Sequence, residues 1–299
     1  MSLPVLSKIP NDTLCRFAQK WIPEILEGTF PVFWAQDLIS SQMDADRMDY
    51  LLRDAYMCGV SYVSFDRKWL LNNIELKEIP HEDKRLGLVI NAEKGLHALE
   101  SFIISRYHMY EQVYLHKTTR GMEQLVIKIF QRAKFIQEEG IDLHILDSSL
   151  TRVFAHDFSI NDYLMLDDFL IICQIKVWQD HPDPILNELS RCFIGRKPFK
   201  MFKEVKDQAL LPAQVYRNLD SIMGGEEGAD YFFFEDDYIN NPYKDEYLLG
   251  TGKALEAGHI WISRGDGQIR ELAEESFLIH AMRNKSTRKT RGYVHRKYL

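Results

Sequence analysis

Apolar residues return every three or four positions through the first two thirds of the chain, which predicts one helix after another. Leu14, Phe17, Trp21, Ile25 and Leu26 share one face of a segment that Asn11 or Asp12 can cap, Pro23 bends and Gly28 ends. Further helices are predicted over residues 44–57, with Gly59 as stop signal, and over 92–116, 121–137, 162–178 and 184–193. The HPDP turn at 181–184 separates the last two. Beyond about residue 196 the period drops to two. Strands are predicted over 199–205, 230–234, 259–263 and 289–295, a helix over 214–223, and a hairpin turn at RGDG, 264–267. The expected fold is mainly α with a small α+β unit at the C-terminus, divided as residues 1–197 and 198–299.

Composition narrows the class. With 45% hydrophobic and 27% charged residues among 299, the chain is neither disordered nor fibrous. Cys15, Cys58, Cys173 and Cys192 form no CxxC, which excludes a zinc ribbon and a disulfide scaffold and suits reduced thiols in the cytoplasm. No run of 18 apolar residues exists; the densest, 169–178, is broken by Gln174 and Lys176, so no membrane span is expected. The first residues lack the basic start of a secretory signal. The net charge of −7 conceals a basic tail: residues 283–299 hold seven Lys/Arg and no acid, and without them 30 basic residues face 44 acidic ones. Interleaved Thr, Tyr and Val make that tail read as a solvated terminal strand, and the acidic body argues against nucleic acid as a partner.

Two helical stripes carry the candidate chemistry. Within residues 40–60, Asp46, Tyr50 and Asp54 stand four apart, beside the apolar face of Met48, Leu51, Leu52 and Ala55. Two carboxylates and a phenol next to a core face need cations, donors or a metal as partners. Ion pairs with Arg47 and Arg53 on the same helix account for them equally well. Within residues 105–121, Arg106, Tyr110 and Tyr114 repeat every four, with Lys117 close behind. A planar five-donor fork beside rigid hydroxyl-bearing rings suits an anionic, partly aromatic ligand such as a nucleotide; an aromatic packing face is the plainer reading.

These same residues carry a resemblance. DADRMDYLLRDAYMCGVSY and ALESFIISRYHMYEQVYLHKTTRG resemble segments of the HD-domain metal-dependent phosphohydrolases, in the deoxynucleoside triphosphate triphosphohydrolase branch. NNPYK (240–244), IRELAEESFLI (269–279) and RKTRGYV (288–294) are similar to the same group, in the same order. The resemblance implies a helical HD-type body, a deoxynucleotide substrate or other nucleotide ligand, a divalent metal cofactor and a homo-oligomer. It assigns Asp46 to the metal, and Arg47, Arg106 and Lys117 to phosphate. Tyr110 would neighbour the phosphates, Tyr114 would pack near sugar or base, and Tyr50 and Asp54 would face the deoxyribose. Metal-bound hydroxide attacking the α-phosphate would release triphosphate.

One departure is large. The family's first His and its His-Asp pair precede the DADR segment, whereas the first histidine here is His81. The expectation is therefore an N-terminally incomplete hydrolase that holds a metal weakly, or a non-catalytic nucleotide-binding or assembly subunit. His156-Asp157 lies in the wrong order and reads as a surface His beside a capping Asp. Residues 250–253 (GTGK) fail the phosphate-loop spacing, and Asp236-Asp237 and Glu226-Glu227 read as solvated loop acids.

Overall fold

A computed structural model of the chain describes residues 12–80, 85–206, 230–240, 242–243, 259–283, 285 and 287–296. The expected helix over 214–223, the GTGK segment, Glu226-Glu227 and the cap residue Asn11 lie outside these. The described elements are predominantly helical, as the apolar period predicts. They fall into two compact units, each made from two stretches of chain: residues 1–113 with 240–287, and 114–239 with 288–299. A single division at 197/198 would cut through the second.

In the first unit, α1 (Asp12–Leu26), α2 (Phe33–Ile39), α3 (Ala45–Cys58) and α4 (Arg67–Asn72) precede β1 (Ile74–Glu78), β2 (Leu86–Asn91) and α5 (Ala92–Met109). Helix α3 starts where Asp44 accepts a hydrogen bond from the Arg47 amide and stops at Gly59, whose φ of 65° is left-handed. Met48, Leu51 and Ala55 are its buried face. After α5 come β5 (Trp261–Ser263), β6 (Ile269–Glu271), α11 (Leu272–Glu275) and α12 (Phe277–Met282). The sheet runs β1-β2-β5-β6, with β2 parallel to β5 and the other neighbours antiparallel. The 264–267 turn joins β5 to β6 as expected, with Gly267 at φ 78°. Strands β1 and β2 were not legible as such, being short runs inside an otherwise helical stretch.

In the second unit, α6 (Lys117–Glu138), α7 (Ser148–Phe154), α8 (Ile160–Met165), α9 (Asp168–Trp178) and α10 (Pro184–Ile194) precede β3 (Lys200–Lys206), β4 (Phe233–Asn240) and β7 (Thr287–Val294). Leu125, Ile129, Ala133 and Ile136 line the inner face of α6 and pack with Ile175, Trp178, Leu186, Leu189 and Phe199. The expected 162–178 helix is two helices. Ser159 and Asp162 form a capping box that starts α8, and Asp167 accepts from the Leu170 amide to start α9 afresh. Asp147, not Asp157, caps α7, and His156 is exposed at φ 56°.

The second sheet corrects two readings. Its order is β3-β7-β4, so the basic tail supplies a central strand rather than a solvated one. Tyr293, Val294 and His295 are buried, Arg291 donates to the Leu115 carbonyl at 2.6 Å, and Arg288 pairs with Asp237. Asp236-Asp237 lies on β4 rather than in a loop. Alternation on that strand turns Phe234, Asp236 and Tyr238 inward, and Asp236 meets the Arg120 guanidinium.

A further carboxylate tests the fold. Asp183 caps α10 through the Leu186 amide and receives Arg132 Nε and NH2, the latter at 2.7 Å. Burial pushes its pKa up, but the Arg132 and Leu186 hydrogen bonds and the positive charge outweigh it, and the net direction is down. A carboxyl held below its unfolded value contributes stability above that value and loses it as pH falls. The stability advantage of the wild type over Asp183→Asn should therefore shrink below about pH 4, where an unfolded Asp protonates. Urea titrations at neutral and acid pH check this; a pH-independent gap would contradict it.

Candidate functional site

The first unit gathers much of what the two stripes proposed. Helix α3 packs on α5, so a side chain of one can reach the other. The Tyr50 hydroxyl is hydrogen-bonded to Tyr110, with the guanidinium groups of Arg47 and Arg106 within electrostatic reach. Burial and the neighbouring phenol drive the Tyr50 pKa well up, against the pull of the two arginines. Tyr50 is therefore a neutral hydroxyl at physiological pH, able both to donate and to accept.

Each cation is held differently. Asp44 is 5% exposed and does two things: it caps α3 and accepts Arg47 Nε at 3.0 Å. That fixes the root of a guanidinium whose side chain stays 24% exposed. Arg106, by contrast, is 2% exposed and donates NH2 to the Pro242 carbonyl at 2.9 Å. It tethers Pro242, between Asn240 at the end of β4, which donates to Glu111 at 2.7 Å, and buried Tyr243, which donates to Glu271 at 2.6 Å. Asp54 is half-buried on the same stripe of α3 as Tyr50.

The second stripe does not continue as one α-helix. After Met109 the chain makes a π turn over Tyr110–Tyr114, which breaks the four-residue repeat before Tyr114. Single π turns recur at functional sites because the widened turn re-aims a side chain. Tyr114 and Lys117 belong to the second unit, Tyr114 half-buried and Lys117 exposed at the first position of α6.

Asp46, proposed as the metal ligand, is exposed in the first turn of α3. Among the described residues, three clustered His, Cys or acidic ligands occur at Glu188, Cys192 and His295, and neither Asp46 nor His156-Asp157 takes part in such a group. One carboxylate does not make a divalent-ion site, because such ions draw on several ligands. The residues described here therefore do not by themselves fit the metal. The Glu188, Cys192 and His295 group escaped the sequence reading, although Glu188 and Cys192 stand at helical spacing.

Comparison with known proteins bears on the fold. Residues 65–149 match the model of the HD associated region. A phosphohydrolase from Bacteroides thetaiotaomicron superimposes with a TM-score of 0.80 at 25% identity, over 98% of this chain and 71% of that one. The fold is that of an HD-type phosphohydrolase. A hypothetical protein from Aquifex aeolicus shares this fold, with a TM-score of 0.65 at 23% identity, over 98% of this chain and 65% of the other. The uncharacterized protein YwfO of Bacillus subtilis is 35% identical over 266 residues, covering 88% of this chain and 58% of YwfO. The uncharacterized protein MG461 of Mycoplasma genitalium is 26% identical over 257 residues, covering 83% of this chain and 57% of MG461. The chain thus spans under two thirds of the length of these curated relatives. None of its described helices is long and apolar enough to cross a membrane.

Proposed function

We propose that this chain supplies the nucleotide-facing part of an HD-type phosphohydrolase that acts on deoxynucleoside triphosphates. The observation that carries the reading is the convergence of Arg47, Tyr50, Tyr110 and Arg106 from two helices onto one place. Arg47, steadied by Asp44, offers phosphate a fork that is about one quarter exposed (24%). Tyr50 and Tyr110 offer hydroxyls on rigid rings, and Asp54 an acceptor for a sugar hydroxyl. Arg106 holds the floor of this arrangement through Pro242. A divalent ion, when bound, would supply Lewis-acid activation and a hydroxide nucleophile. Asp46 is the one residue of this chain proposed to hold it. Homo-oligomeric assembly and a cytoplasmic location belong to the same proposal; Cys58, Cys173 and Cys192 are free, as a reducing compartment requires.

A non-catalytic nucleotide-binding or assembly subunit is the second reading, favoured by Asp46 standing outside any group of three ligands among the described residues. Thermal unfolding in EDTA tests the binding shared by both. Deoxynucleoside triphosphate at about 100 times Kd should stabilise the chain by about 2.7 kcal/mol. Arg47→Ala should abolish most of that shift, whereas Arg53→Ala, on the exposed side of the same helix, should preserve it. No shift with any deoxynucleotide, or an equal shift in Arg47→Ala, would overturn the proposal. Metal-dependent release of triphosphate by the same chain would separate the first reading from the second.

A further inference from the structure

The nucleotide reading leaves Glu188, Cys192 and His295 without a role. All three lie in the second unit. Glu188 and Cys192 are one turn apart on α10, and His295 follows β7, so a helix and a strand end converge. Cys192 Sγ is 3.0 Å from His295 Nε2, His295 Nε2 is 3.3 Å from Glu188 Oε1, and Sγ is 3.9 Å from that oxygen. We propose that Glu188, Cys192 and His295 form a binding site for a zinc-class transition-metal ion.

The separations suit the ion. A tetrahedral zinc with its usual bond lengths to sulfur, nitrogen and oxygen sets ligand atoms about 3.4–3.6 Å apart. The observed spacings bracket that range, so tenths of an ångström bring all three atoms to it. One thiolate, one imidazole and one carboxylate make a mixed set for a borderline ion and neutralise its two charges. Calcium and magnesium, which demand oxygen ligands, are disfavoured.

The ligands are also built in. His295 is 4% exposed, its amide donates to the Phe232 carbonyl at 2.8 Å, and Phe232 and Phe199 flank its ring. Cys192 is 6% exposed. Burial, and then the Glu188 charge, push its thiol up to about 11, against Lys197 and Arg296, so the metal-free group is a neutral S–H donor. An arriving ion would replace that proton. Glu188 alone is half-exposed, and with His181, Ile185 and Phe232 it lines an open cleft of about 480 Å³. His181 is not a fourth ligand: Nε2 meets the Asp142 carbonyl and Nδ1 accepts from the Asp183 amide, each at 3.0 Å. The fourth position is left to water or an external ligand, the pattern of zinc sites open to exchange.

The test uses the full reduced chain, stripped with EDTA and titrated with Co²⁺, then Zn²⁺. One Co²⁺ per chain should appear with a thiolate-to-cobalt charge-transfer band, and Zn²⁺ should displace it. Cys192→Ser should lose the band. A Cys15→Ser/Cys58→Ser/Cys173→Ser chain should keep it, and so should Asp46→Asn, which separates this site from the proposed hydrolytic metal. Glu188→Gln, at a half-exposed position that leaves the core intact, should bind Zn²⁺ at least tenfold more weakly. Absence of the band, its persistence in Cys192→Ser, or unchanged zinc affinity in Glu188→Gln would each overturn the proposal. If Cys192→Ser fails to fold, the Glu188→Gln affinity decides.

Discussion

Arg120→Met should cost about 3 kcal/mol of stability, near the lower end for breaking a buried ion pair. Arg120 Nε lies 3.1 Å from each Asp236 carboxylate oxygen, and NH2 closes the fork on Oδ1. Asp236 is 3% exposed, on the inward face of β4. Without the guanidinium, that carboxylate loses its charge-assisted donors and remains out of water. The Arg120 side chain is 21% exposed and also meets Glu123, which keeps the figure from the upper end of the range. Chemical denaturation of the two proteins measures it. Arg120→Met/Asp236→Leu supplies the control: replacing both partners by apolar groups should recover most of the loss. A single variant within about 1 kcal/mol of the wild type would show that the pair is not what holds α6 to β4.

A second large loss is expected at Trp178. Its ring is fully buried, edge-on to Phe130 at 5.5 Å, and its Nε1 donates to the Leu143 carbonyl at 2.8 Å. Trp178→Ala removes the largest buried side chain of the second unit's core, worth about 3–5 kcal/mol in transfer and cavity energy. Leaving the Leu143 carbonyl without its donor adds about 1 kcal/mol or more. Trp178→Phe keeps most of the volume and should lose only about 1–2 kcal/mol, chiefly the hydrogen bond. Equal losses in the two variants would assign the whole effect to that bond instead.

What was legible in the sequence follows the range of the interactions involved. The α3 boundaries, from the Asp44 cap to Gly59, are set within one segment, and they stand as the spacing predicts. The four-residue repeats of Asp46-Tyr50-Asp54 and Arg106-Tyr110 are equally local, so candidate site residues could be read from them. Their meeting through the Tyr50–Tyr110 hydrogen bond needs two helices packed together, which no spacing within one helix reports. The π turn at Tyr110–Tyr114 escaped because its residues carry no signal that differs from an α-helix. Charge misled where pairing was distant. Asp236-Asp237 and the basic tail read as solvated because their partners, Arg120 and Arg288 with Asp236 and Asp237, are far apart in sequence. Glu188 and Cys192 could be grouped by helical spacing, but nothing in the chain marks His295 as their neighbour.

The way each unit draws on two stretches of chain bears on synthesis. During translation, β1 and β2 leave the ribosome long before β5, the strand that pairs with the free edge of β2. Lys77 waits for Ser263, which lies 186 residues further on. In the other sheet, the middle position between β3 and β4 is filled last of all, by β7. Both sheets thus pass through a stage with unpaired strand edges, the kind of surface on which nascent chains aggregate. A nascent chain halted just before residue 287 would complete neither the β3-β7-β4 sheet nor the second unit's core around Tyr293. Pairing of both sheets therefore waits for β5 and β7, and the folding yield should depend on how well those edges are shielded in the meantime.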